Sequence, residues 1–283
     1  MIFTDLCSRA VHIEVVFGYD TKSFLLSLSR FVAIRGWPTV IYSDPGSQLV
    51  GASEELRKAW AAIDKDTLIQ VGAENGLKWI FGPADSPWYQ GAVEALVKSA
   101  KRALKLSIGD QRLSVSEILT VFTQTADLLN QRPLGVMPGN DSEISILTPN
   151  CLLLGRSSST NPGGYDANPS LKSRLTLVQG IVDQFWKHWT SLYAPTLIRQ
   201  SKWLHESRDL KVGDVVIVAD AGVLKGQYRL GRITQVYTGR DGRVRRARVA
   251  YKRYKAGEVL KERSEEHTSE LQSHSDLVCR LLL

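Results

Sequence analysis

A run of small, polar and helix-breaking residues, 157–170 (SSSTNPGGYDANPS), interrupts the 283-residue chain. Such residues cannot build a packed element, so the run predicts a linker over 157–173. The charge balance changes at the same place. Residues 1–173 hold 16 basic and 17 acidic side chains, whereas residues 174–262 hold 18 basic and 8 acidic ones. The sequence therefore predicts a near-neutral N-terminal domain, 1–156, and a basic C-terminal domain, 174–262.

Composition excludes several classes of protein. A hydrophobic content of 43% is enough for a core and excludes a wholly disordered chain. Every apolar run is much shorter than the roughly 18 residues that a membrane helix needs. Three widely spaced cysteines give neither a disulfide framework nor a zinc-site spacing, which is typical of an intracellular protein. The net charge of +7 indicates an acidic partner only weakly.

The last residues, 263–283, lack the periodicity of a strand or a helix. Residues 263–273 (RSEEHTSELQS) and 277–283 (LVCRLLL) resemble the translation of a sequencing adapter interrupted by index bases. We therefore expect a disordered tail that carries no information about the fold. Without it the net charge becomes +9, from 34 basic and 25 acidic residues.

The N-terminal domain has the pattern of an α/β fold, with strands and helices in turn. Two short strands within 1–16 would be joined by a turn at 7–9. Thr21 would cap a helix that Gly36 ends. The remaining predicted elements are a strand over 39–42, a helix over 54–63, a strand over 77–81, a helix over 92–107 and a helix that Ser114 caps, ending near 131.

Two carboxylates are candidates for chemistry. Asp44 follows a predicted strand, and the carboxyl ends of strands line the ligand crevice in open α/β sheets. Glu94 lies in the first turn of its helix. Each also has a structural interpretation, because aspartate before Pro-Gly is common in turns and Glu94 pairs with Lys98 at i, i+4.

Three lysines follow Glu94 along the same helix. At 100° per residue, Lys98, Lys101 and Lys105 all lie within 40° of Glu94. The apolar residues lie on another face, which the spacing centres near −90°: Val93, Val97, Ala100 and Leu104. A carboxylate that heads a row of lysines suits metal-dependent cleavage of a phosphodiester, although a solvated helix face has the same pattern.

The basic domain begins with a predicted helix over 179–193 and continues with short strands and a hairpin at Asp241-Gly242. This pattern predicts a small SH3-like barrel. Its return strand is rich in basic residues, which suit phosphate contacts but also fit a solvated strand: Arg243, Arg245, Arg246, Arg248, Lys252 and Arg253. Tyr251 and Tyr254 are interleaved with them. Trp186, Trp189 and Trp203 are better explained as core than as base-stacking platforms.

Several of these segments resemble the integrases of retroviruses and LTR retrotransposons. The acidic residues lie in Ser43-Asp44-Pro45-Gly46 and in Gln90-Gly91-Ala92-Val93-Glu94, which resemble the family's S-D-N-G and Q-G-x-V-E motifs. The segments 9–14 (RAVHIE), 30–38, 97–101 (VKSAK), 130–134 (NQRPL) and 147–150 (LTPN) are similar to the BEL/Pao-type group. The likeness covers nearly all of 1–262.

The resemblance implies an RNase H-like core in which Asp44 and Glu94 are the second and third members of a D,D,E triad that binds Mg²⁺ or Mn²⁺. It implies 3′-end processing and strand transfer on DNA, a homomultimer, and action in the nucleus on chromosomal DNA. Two departures stand out. Pro45 replaces the usual asparagine, and the first catalytic aspartate and its strand should precede Met1. We therefore expect an N-terminally truncated and inactive fragment.

Two other functions fit the same residues. One is a non-catalytic DNA- or chromatin-binding protein with a degenerate core, and the other is an RNase H-like nuclease without strand transfer.

Overall fold

The structure is a computed structural model that describes residues 1–18, 20–43, 63–81, 91–137, 146–155, 172–197, 209–218, 226, 228–240, 242–252, 262–268 and 278–280. The chain forms two compact units. The first comprises Met1–Asp5, Val11–Lys98 and Arg112–Ala126, and the second comprises Leu6–Ala10, Ser99–Gln111 and Asp127–Leu283. Among the described helices, none is long and apolar enough to cross a membrane.

The first strands and helices follow the predicted order. Strands β1 (Ile2–Thr4) and β2 (Val11–Ile13) form the expected antiparallel hairpin. Helix α1 (Thr21–Arg35) ends at Gly36, whose φ of 81° suits glycine. Its cap is Asp20 rather than the predicted Thr21, because the Asp20 carboxylate accepts from the Ser23 amide at 2.6 Å. Hydrogen bonds from the backbone and the side chain of Ser23 lower the pKa of Asp20.

A parallel strand pair comes next in the first unit. Strand β3 (Val40–Ser43) pairs with β4 (Lys78–Phe81), and helix α2 (Lys65–Glu74) lies between them in the chain. The sequence did not predict α2, and most of the helix it did predict, 54–63, lies outside the described residues. Phe24, Leu28 and Leu68 form the buried centre of this unit. Its core therefore joins α1 to α2.

Two long helices follow, close to their predicted limits. They are α3 (Gly91–Ile108) and α4 (Val115–Asn130). A reciprocal capping box starts α4, as the Ser114 amide donates to the Glu117 carboxylate at 2.7 Å and the Glu117 amide donates to the Ser114 hydroxyl at 3.4 Å. The predicted cap at Ser114 is confirmed.

Short elements connect α4 to the C-terminal part. Strands β5 (Gly135–Val136) and β6 (Ile146–Leu147) pair antiparallel, and helix α5 (Pro149–Leu154) follows. Most of the predicted linker lies outside the described residues. The long helix α6 (Lys172–Leu197) begins at the end of that predicted linker. It is longer than the helix predicted over 179–193. Trp189 and Phe185 are fully buried and Trp186 is nearly so, as expected for core residues. Trp203 lies outside the described residues.

The C-terminal sheet contains five strands in the order β10-β9-β8-β7-β11. The strands are β7 (Val215–Val218), β8 (Arg229–Thr238), β9 (Val244–Lys252), β10 (Glu262–Thr268) and β11 (Val278–Arg280). A turn that contains Gly242 joins β8 to β9, as predicted, and Asp241 lies outside the described residues. The described strands do not close into a barrel, because β10 and β11 occupy opposite edges. An open sheet therefore replaces the predicted SH3-like barrel.

The two edge strands fall in the described parts of the tail, 263–268 and 278–280, while the rest of 263–283 lies outside the described residues and its expected disorder stays a prediction. Strand β10 pairs antiparallel with β9, and β11 pairs antiparallel with β7. An edge strand presents unpaired backbone donors and acceptors, so an adjacent extended segment adds to it without requiring a particular side-chain pattern. The mixed α/β class is confirmed, whereas the RNase H-like arrangement stays a prediction.

Candidate nucleic-acid interface

Helix α3 presents a row of lysines to solvent. Lys98, Lys101 and Lys105 are all exposed, as predicted from their spacing. Ala100, Ala103 and Ser107 are buried on the same helix. At 100° per residue these three centre near −150° from Glu94, opposite the lysines rather than near the predicted −90°. The buried face is thus made of small residues, and the Ser107 hydroxyl is satisfied by the Ala103 carbonyl at 2.7 Å.

Arg102 extends this basic face and was missed by the spacing argument. Its side chain is exposed beside the lysine row, about 80° from Glu94 at 100° per residue. The only sequence signal was its position next to Lys101. Of the predicted apolar positions, Ala100 is buried, Val97 and Leu104 are half-buried, and the side chain of Val93 is outside the described part.

The structure describes little of the two candidate carboxylates. Asp44 lies outside the described residues, and for Glu94 only the backbone within α3 is described. Strand β3 ends at Ser43, whose hydroxyl accepts from the Trp79 indole N–H at 2.9 Å. Among the residues that are described, no three His, Cys, Asp or Glu side chains cluster as metal ligands would. The metal site therefore stays a prediction.

The predicted basic residues of β9 have different surroundings. Arg246 is exposed, and its guanidinium carbon lies 5.8 Å from the centre of the Tyr237 ring. Arg248 is half-buried. Arg243 pairs with Asp209 at 3.6 Å, so part of its charge is compensated. The side chains of Arg245 and Lys252, and all of Arg253, are outside the described part of the chain.

The aromatic residue beside these arginines is not the one that the sequence indicated. Tyr251 is buried in the core of the sheet with Val249 and Ile233. Tyr254 lies outside the described residues. Tyr237, on the neighbouring strand, takes the place beside Arg246, because the two residues are partners in the β8–β9 register. Strand pairing was needed to find this residue.

A buried arginine and an aromatic cluster stabilise the second unit. Arg132 is 5% exposed and donates to the carbonyls of Leu129, at 2.9 Å, and of Arg9. Burial lowers its pKa. Tyr228 accepts from the Trp189 indole at 3.2 Å, and burial raises the pKa of its phenol. Arg132 and Trp189 are buried, so they hold the fold rather than face a ligand.

Two pairs of motif segments meet through carboxylates. Glu14 accepts from Arg30 at 2.8 Å and from His12 at 3.0 Å, within the first unit. In the second unit, Asp127 accepts from Gln131 at 2.6 Å and from Asn150 at 2.8 Å. Residues of the segments 9–14, 30–38, 130–134 and 147–150 therefore take part in polar contacts that hold each unit together.

Comparison with known proteins gives two findings. Residues 173–261 match the model of a family of unknown function, DUF5641. The chain is also similar to a chain in the cryo-EM structure of the simian T-cell lymphotropic virus intasome in complex with the PP2A regulatory subunit B56 gamma, with 14% identity and a TM-score of 0.33 over 87% of this chain. It spans 64% of the length of that chain. No curated protein matches the sequence.

Proposed function

We propose that this chain belongs to the DNA-integration machinery of a retrotransposon of the BEL/Pao type and binds DNA through helix α3. The observation that carries the proposal is the continuous basic face of Lys98, Lys101 and Lys105, which lies opposite the buried face of the helix. Exposed ammonium groups on one face of a rigid helix can follow a phosphate backbone without reading bases. Glu94 of the integrase-like motif lies on the same helix, so DNA bound to these lysines would lie beside the proposed reaction centre.

The proposed reaction is a metal-dependent transfer of a DNA strand. Carboxylate oxygens suit a hard divalent cation, so Asp44 and Glu94 would hold Mg²⁺ or Mn²⁺. An ion held there would supply activation of a water or a 3′-hydroxyl and stabilisation of the leaving oxygen. The lysines hold the DNA backbone next to that centre. The first member of the D,D,E triad that the family resemblance implies is not assigned to any residue of this chain.

The DNA-binding proposal is tested with a triple variant, Lys98→Gln, Lys101→Gln and Lys105→Gln. We expect weaker binding to a labelled duplex and a salt slope lower by about 1 for each lysine that contacts a phosphate. A matched control replaces three exposed lysines elsewhere, Lys22, Lys65 and Lys78, with the same change of charge. An equal loss in both triple variants, or no loss in the α3 variant, would contradict the proposal.

The catalytic proposal needs the complete protein in a strand-transfer assay with Mg²⁺ or Mn²⁺. Asp44→Asn and Glu94→Gln each remove a charged ligand while keeping side-chain size. We expect both variants to lose transfer and to keep DNA binding. Normal transfer by either variant would refute the assignment of that residue.

A further inference from the structure

One face of the β8–β9 hairpin combines cations with a partly exposed aromatic ring. The register pairs Gln235 with Arg248 and Tyr237 with Arg246. A bulge at Thr234 adds one residue to β8, so Gln235 and Tyr237 lie on the face opposite the buried Ile233. We call this the hairpin face, and its members are Arg232, Gln235, Tyr237, Arg246 and Arg248.

The hairpin face is open toward the turn. Gln235 and Arg246 are exposed, and Tyr237 and Arg248 are partly exposed. On β7, by contrast, Ile217 lies on the same side of the sheet and is buried. The other side of the sheet is the apolar core of Val216, Val218, Ile233, Ala247, Val249 and Tyr251. The hairpin face is therefore a solvent-facing surface supported by a packed layer.

The Tyr237 ring is held in position. Its hydroxyl donates to the Gln235 amide oxygen at 3.1 Å, which lays the ring along the strand. The Arg246 guanidinium lies over the ring at 5.8 Å. This distance makes a cation–π contact, and a nucleobase can stack on the guanidinium or replace it over the ring. Phosphates of the same strand then find Arg246 nearby, whereas Arg248 is paired in register with Glu266 of β10.

We propose that the hairpin face binds an unpaired strand of DNA, with Tyr237 as the stacking platform. This inference rests on the proposed function, since it specifies which form of DNA the basic domain binds. A duplex hides its base faces inside the helix stack, so only an unpaired strand can use an exposed ring. The excess of basic residues over 174–262, 18 against 8 acidic, supplies the attraction to phosphate that such a strand requires.

The test compares single-stranded and duplex DNA by fluorescence anisotropy with the full chain. The probes are a labelled oligothymidylate of about 12 nucleotides and a duplex of the same length. Tyr237→Leu keeps an apolar side chain but removes the ring, and we expect it to weaken single-strand binding about 5- to 100-fold. The affinity for the duplex should change less than 2-fold, which is about 0.4 kcal/mol, because the duplex is bound through its phosphates. Phe17→Leu, which removes an exposed aromatic ring elsewhere in the chain, is the matched control.

Two further variants keep the test decisive if Tyr237→Leu does not fold. Tyr237→Phe and Tyr237→Trp retain a ring and should bind the single strand as tightly as the unaltered chain. Single-strand affinity that is unchanged in Tyr237→Leu, or lost in both ring-retaining variants while they melt normally, would overturn the inference. Duplex binding that depends on the α3 lysines would still support the proposed function in that case. Absence of all DNA binding would overturn both.

Discussion

Glu14 and Arg30 make the ion pair whose removal has the clearest expected consequence. The Glu14 carboxylate is 10% exposed and accepts from the Arg30 Nε at 2.8 Å, while the Arg30 side chain is 45% exposed. Arg30 also donates to the Val15 carbonyl at 2.9 Å. Arg30→Gln would leave a buried carboxylate with His12 as its remaining side-chain partner among the hydrogen bonds described here. The variant tests whether strand β2 is tied to helix α1 by this contact.

The magnitude follows from the burial of the two partners. A hydrogen bond to a charged group contributes about 1.5–3 kcal/mol to the free energy of unfolding. Solvent screening at the half-exposed guanidinium lowers this value, so we expect a loss of about 1–2 kcal/mol. For a chain of this size, thermal unfolding should shift down by about 2–4 °C for each kcal/mol. Arg35→Gln, on an exposed position of the same helix, is the control and should change the free energy by less than about 0.5 kcal/mol.

The pH dependence gives a second and independent measurement. Burial alone would raise the pKa of Glu14, but the hydrogen bonds from Arg30 and His12 outweigh it and lower the pKa below 4.5. The stabilisation is therefore complete above the unfolded pKa and is lost as the pH falls through the folded one. The difference between the unaltered chain and Arg30→Gln should be largest near neutral pH and should shrink below about pH 4.5. A difference that stays constant down to pH 3 would refute the ion-pair argument.

Three other substitutions test separate parts of the fold by chemical denaturation. Asp64→Ala removes the N-cap of α2, whose carboxylate accepts from two backbone amides at 3.1 Å, and should cost about 1 kcal/mol, whereas Asp64→Asn should cost less. Asp127→Ala removes the shared acceptor of two buried amides and should cost about 2–4 kcal/mol, with a cost under 1 kcal/mol contradicting the network. Gly231→Ala would place a Cβ 2.2 Å from the Val249 side chain and should cost about 1–3 kcal/mol, whereas Gly180→Ala on α6 meets nothing within 4 Å and should not destabilise.

Local patterns predicted the elements of this chain better than their assembly. Spacing and caps placed α1, α3 and α4 almost to the residue, because a helix is specified by contacts within a few positions. Helix α2 was not predicted, because the short segment that follows its N-cap, Asp64, shows little apolar periodicity. The barrel prediction failed at a different level, since closure depends on which strands meet at the edges, and edge pairing involves backbone groups that every residue has.

The candidate site shows the same division between local and long-range information. The lysine row could be predicted because its members lie one turn apart on a single helix. Tyr237 could not, because its relation to Arg246 arises from the register of two strands and from a bulge at Thr234. A bulge adds one residue and reverses the alternation of side chains beyond it. Sequence periodicity therefore assigns such residues to the wrong face unless the bulge is known.

The described motif residues divide into those that hold the fold and those that face solvent. Glu14, Gln131 and Asn150 are engaged in hydrogen bonds inside the units, so changing them alters stability first and any activity only through it. Lys98 and Lys101 lie within a segment of the same resemblance but are exposed. Their substitution should leave the melting temperature unchanged while it weakens DNA binding. If instead the lysine variants unfold and the Glu14 variant only loses DNA binding, the assignment of structure to one set and recognition to the other is reversed.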